Sequence, residues 1–96
     1  MYIKKIKKGV LLSKKTSVNL ELGVVSRKKG KFTKLGLHKD EEEVYIILKG
    51  KGILTLGDQQ KVVKAGYIVY VPIGVKHQFK SLSDNFTYIY VATWPK

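Results

Sequence analysis

Gly30-Lys31-Phe32-Thr33-Lys34-Leu35-Gly36-Leu37-His38-Lys39-Asp40-Glu41-Glu42-Glu43-Val44-Tyr45-Ile46-Ile47-Leu48-Lys49-Gly50 reads as a strand, an acidic turn and a second strand, with glycine at both ends. The run Val44 to Leu48 is continuously β-branched, aliphatic or aromatic, so it belongs inside a sandwich or barrel rather than on a wet edge. A second unit follows: Gly66-Tyr67-Ile68-Val69-Tyr70-Val71 is a strand, Pro72-Ile73-Gly74 a turn, and His77 opens the return. Each unit carries one of the chain's two histidines. If residues 39–42 form the loop, His38 and Glu43 face each other across an antiparallel pair, with Cβ atoms about 5 Å apart. The same register sets Gly36 opposite Tyr45, while Phe79 and Ser81 share the face of His77. Two imidazoles and a carboxylate brought together by strands have the donor chemistry of a metal site.

Around this centre the chain continues in short strands. Residues 16–26 alternate, with Val18, Leu20 and Leu22 on one face and Asn19 and Glu21 on the other. Residues 1–12 read as an edge strand or arm. Turns at Lys49 to Gly52, Gly57-Asp58, Ala65-Gly66 and Leu82 to Asn85 space the strands about ten residues apart, and no ten-residue segment keeps a helical period. The expectation is an all-β domain over residues 1–96 with about nine to ten strands in two sheets or a small barrel. In the last strand Phe86, Tyr88, Tyr90 and Trp94 share one face, and Ile89 and Val91 the other. One face meets the core, and the aromatic one is expected to be covered by a second copy, making a homodimer.

Composition narrows the chemistry. With 96 residues and no cysteine, any metal must be held by histidine and carboxylate. The start Met1-Tyr2-Ile3-Lys4-Lys5 lacks the apolar core of a signal peptide, and no apolar run approaches the roughly 20 residues of a membrane span. The expectation is a cytoplasmic protein with no membrane partner. The net charge is +12, and eighteen of the nineteen basic residues are lysine spread along the chain. One arginine offers little bidentate reading of phosphate or base, so nucleic acid is not the expected partner, whereas a small anionic ligand suits the field. Four of the seven acidic residues are consecutive at Asp40 to Glu43, which marks where a cation would go.

The spacing of these residues resembles the two sequence motifs of the cupin superfamily. The first motif runs glycine, five residues, His-any-His, three or four residues, glutamate, six residues, glycine; Gly30, His38, Glu43 and Gly50 match it. The second runs glycine, five residues, Pro-any-Gly, two residues, histidine, three residues, asparagine; Gly66, Pro72, Gly74 and His77 match. The resemblance implies a double-stranded β-helix, or jelly-roll barrel. It also implies a divalent metal (Zn, Mn, Fe or Ni) held by His38, Glu43 and His77, in a pocket lined by Gly36, Tyr45, Phe79 and Ser81. Gly36 stands where the family has its first histidine, and Ser81 where it has asparagine. The expectation is that Gly36 leaves an open coordination position for water or substrate. The phrase Glu43 to Gly50 and the run Val71 to His77 look like small cupins similar to mannose-6-phosphate isomerase. That implies Lewis-acid chemistry on a sugar, sugar phosphate or related carbonyl compound. A metal-dependent dioxygenase and a non-catalytic ligand-binding module are the alternatives.

Overall fold

The computed structural model describes residues 3–33, 35–36 and 40–94. Eight strands form in chain order: β1 (Gly9–Leu12), β2 (Leu20–Arg27), β3 (Glu42–Lys49), β4 (Lys51–Leu56), β5 (Gln59–Lys64), β6 (Ile68–Val71), β7 (His77–Ser81) and β8 (Phe86–Thr93). They build a five-stranded sheet of order β1-β2-β8-β3-β6 and a three-stranded sheet of order β5-β4-β7. All pairings are antiparallel, and the two sheets face one another as a jelly roll. Among the described residues there is no helix, hence none long and apolar enough to cross a membrane.

The strand expected over residues 16–26 begins only at Leu20, because Ser13, Thr16 and Ser17 turn the backbone locally. The Thr16 and Ser17 amides and the Ser17 hydroxyl all donate to the Ser13 carbonyl. Such short side chains compete with the ladder for backbone groups. The hairpin pairing between His38 and Glu43 also needs correction. Both neighbours of Glu43 are already taken, Val71 on β6 and Ala92 on β8, and Tyr45 lies between Val69 and Tyr90. The segment around Gly36 instead runs along β7. Gly36 and His77 exchange amide-to-carbonyl bonds of 2.9 and 3.0 Å, and the Thr33 amide donates to the Phe79 carbonyl. This segment extends the small sheet by two isolated bridges, at Phe32 and Gly36, and among the described residues eight strands form where about nine to ten are expected. His38 lies outside the described residues.

Between the sheets Tyr45, Ile47, Leu54, Val63, Val69, Val71, Phe79, Phe86 and Tyr88 form the core. Tyr45, Phe79 and Tyr88 meet with ring centroids 5.0 to 5.3 Å apart, within the range of favourable tilted and edge contacts. The aromatic face of β8 is therefore the inner one: Phe86 is fully buried and Tyr88 nearly so. It needs no partner subunit. The apolar surface left outside belongs to the other face of the same sheet, where Ile46 and Ile68 stand opposite one another and both are exposed.

Candidate functional site

Strand pairing lays the inner residues of the large sheet out in rungs. Glu21, Ala92 and Glu43 lie side by side on β2, β8 and β3; Gly23, Tyr90 and Tyr45 form the next rung; Val25, Tyr88 and Ile47 the third; Arg27 and Phe86 the last. Opposite these rungs are His77 and the segment of Thr33, Leu35 and Gly36. Together they enclose a cavity of about 600 Å³, a size that suits a small molecule.

At one end Glu43 and His77 meet. Both are buried, at 7% and 5% exposure, and Glu43 Oε2 is 2.9 Å from His77 Nε2. The Tyr45 hydroxyl donates to the same Glu43 oxygen at 2.7 Å, while His77 Nδ1 lies 3.3 Å from the Val75 carbonyl. A carbonyl can only accept, so Nδ1 carries a hydrogen and the neutral ring would turn a lone pair from Nε2 toward a carboxylate. Two electron-rich atoms at this distance need a cation between them. In the metal-free chain that cation is a proton: the bond to Glu43 raises the His77 pKa above its ordinary value, against the opposing effect of burial, with Val75, the Glu43 charge and Glu41 adding to the rise. A divalent ion suits the same pair of atoms, because a backbone carbonyl on Nδ1 is the usual way a ligating imidazole is oriented. Among the described residues no group of three or more His, Asp or Glu side chains forms a complete metal cluster.

Gly36 departs from its expected role. A Cβ built there would lie 2.6 Å from both Cε1 and Nε2 of His77, so the space beside Gly36 is filled by the His77 ring. It is a close strand contact rather than an open coordination position. Tyr45 and Gly36 line the cavity as expected, but Phe79 and Ser81 do not. Phe79 is packed in the core, and the Ser81 hydroxyl lies within hydrogen-bond distance of the backbone carbonyls of Ser83 and Arg27. Side chains two and four residues beyond His77 on one face of β7 simply run deeper between the sheets.

Several lining residues escaped the sequence. Glu21, on the same rung as Glu43 but two strands away, is a second carboxylate in the cavity and accepts a hydrogen bond of 2.8 Å from Tyr90. Gly23 makes that bond possible. A Cβ at Gly23 would lie 2.5 Å from the Tyr90 ring, so the ring crosses β2 only because no side chain is there. Burial and then the Glu21 bond raise the Tyr90 pKa, and burial foremost, with Glu43, raises that of Tyr45. Both phenols therefore stay protonated donors at neutral pH. Lys14 sits 4.5 Å above the Trp94 ring, and both line the cavity. The alternation of β2 was visible in the sequence, but which of its faces is the inner one is decided by pairing with β8.

Comparison with known proteins agrees with this architecture. A family profile described as "Cupin domain" matches residues 23–93. A curated protein of Methanocaldococcus jannaschii, itself uncharacterised, is 32% identical over 66 residues, which cover 69% of this chain and 53% of that protein. Mannose-1-phosphate guanylyltransferase 2 of Escherichia coli O157:H7 is 33% identical over 54 residues, 56% of this chain but 11% of that enzyme. The chain spans about half the length of the first curated relatives it matches. Among solved structures, TT1209 from Thermus thermophilus superposes with a TM-score of 0.83 at 19% identity, covering 98% of each chain. At that identity the likeness speaks for the jelly roll, and the profile match over most of the chain identifies the sequence: this protein belongs to the cupin domain family.

Proposed function

We propose that the protein is a metal-binding cupin acting on a sugar, sugar phosphate or related small carbonyl compound. The observation that carries this is the buried Glu43 Oε2 and His77 Nε2 facing each other at 2.9 Å, with Nδ1 committed to Val75. Glu43 and His77, with His38 as the third ligand expected from the sequence, would hold one divalent ion such as Zn, Mn, Fe or Ni. When bound, such an ion supplies Lewis-acid polarisation of a carbonyl or hydroxyl oxygen. The chain's own residues supply the rest. Tyr45 fixes the Glu43 carboxylate through its hydroxyl. Glu21, about 10 Å away across β8 by strand spacing, is placed to accept a proton from a ligand in the cavity, and Tyr90 holds it there. The similarity to part of mannose-1-phosphate guanylyltransferase 2 supports a sugar-phosphate ligand.

Elemental analysis of protein purified without chelator or metal-affinity resin tests the metal. Wild type is expected to carry close to one equivalent of a divalent ion, and His77→Ala much less. Equal metal in both proteins would reject the site.

A further inference from the structure

The charged groups of the cavity are unevenly placed. Four carboxylates, Glu21, Asp40, Glu41 and Glu43, and one lysine, Lys14 against Trp94, belong to its lining, and three of the carboxylates come from the Asp40 to Glu43 stretch beside His77. Arg27 stands on the last rung of β2, six residues from Glu21 and so roughly 20 Å along the strand. It is the one arginine of a chain with eighteen lysines. Its guanidinium has five N–H donors, and the bond recorded for it among the described residues is one from Nη1 to the neighbouring Ser26 carbonyl, 3.3 Å long. Thr33 and Tyr88 also line the cavity. The guanidinium is close enough to Tyr88 for its charge to oppose the burial that raises that phenol's pKa.

We infer that Arg27 forms an oxyanion subsite, which anchors the phosphate or carboxylate of a ligand whose other end lies toward Glu43 and His77. A planar fork half-buried between strands grips two oxygens at once, which no lysine does. By strand position it lies three rungs from Glu21 and Glu43. This deepens the proposed function by naming the ligand's charged group, and rests on that function only in taking the cavity as the ligand site.

The single arginine makes the test site-specific, because the full chain has one guanidinium Nε–H signal in a nitrogen-15 NMR spectrum. Inorganic phosphate and acetate are titrated separately, against chloride at matched ionic strength. A saturable shift of the signal with phosphate points to a phosphoester, and with acetate to a carboxylic acid; either supports the subsite. By calorimetry, Arg27→Gln and Arg27→Lys should each weaken binding of the effective anion by about tenfold or more, while Lys61→Gln, which removes an equal charge from exposed β5, leaves it unchanged. A shift identical in chloride, or equal weakening by Arg27→Gln and Lys61→Gln, would overturn the inference. Anion binding that persists in His77→Ala separates this subsite from the fate of the metal proposal.

Discussion

Glu21 and Glu43 flank Ala92 on a single rung of the large sheet, and each accepts a hydrogen bond from a tyrosine one rung further in, Tyr90 for Glu21 and Tyr45 for Glu43. The two pairs differ in how the tyrosine reaches its acid. Tyr45 bonds the residue two before it on its own strand, whereas Tyr90 must cross β2, and Gly23 opens the way. Ala92 between them is fully buried.

Gly23→Ala is therefore expected to push the Tyr90 ring off β2 and break the bond to Glu21. Overpacking of this kind costs about 1–3 kcal/mol. Tyr90→Phe, which keeps the ring and loses the hydroxyl, should cost about 1 kcal/mol. Urea unfolding of both variants checks the order; a neutral Gly23→Ala would mean the ring has another place to go.

Gly36→Ala tests the contact with His77. The new methyl group meets Cε1 and Nε2, so the imidazole must rotate away from Glu43. The expected result is a lower melting temperature together with weaker divalent-metal uptake. Gly36→His should do worse on both counts instead of adding a ligand. Unchanged melting and uptake in Gly36→Ala would show that the ring relaxes freely.

Much of this was legible from the chain. Apolar runs with glycine and proline punctuation marked the strands, and Glu43 and His77 stood out because their spacing from Gly50 and Pro72 is fixed by turns close in sequence. What stayed hidden depends on contacts distant in sequence. The partner of Gly36 is His77, forty-one positions on, and no local hairpin rule chooses it over Tyr45. Glu21 and Arg27 alternate on β2 with apolar residues of both faces, so only the pairing with β8 tells which face turns inward. The aromatic side of β8 misled for the same reason.

Raising the pH should unfold the protein through its inner phenols. Burial raises the pKa of Tyr88 to about 12 and raises those of Tyr45 and Tyr90 as well. A group whose pKa is higher folded than unfolded stabilises the fold below the unfolded value, about 10 for tyrosine, and loses that contribution as pH climbs through the folded value. Stability should fall from about pH 10 upward. Phenolate absorbance in the near ultraviolet is expected to rise for these residues together with loss of the β-sheet circular dichroism. Ionisation of all three near their ordinary pKa with the sheet signal intact would contradict their burial.

The outer face of the large sheet makes the last prediction. One outer rung reads Ile68, Ile46, Ile89 and Val24, and the next Tyr70, Val44, Val91 and Leu22. Neither contains a lysine, although eighteen lysines are spread through the chain. Ile68 is 74% exposed and Ile46 37%, an arrangement that wastes apolar surface in a monomer. We propose that a second copy covers this face, with matching rungs related by a two-fold axis. Because the net charge of +12 opposes association, the measurement needs moderate salt to screen it. Light scattering at tens of micromolar should give a dimer for wild type. The double variant Ile46→Lys, Ile68→Lys should give a monomer with unchanged circular dichroism, since exposed positions cost the fold little. A wild-type monomer, or a dimer that survives both lysines, would move the interface elsewhere.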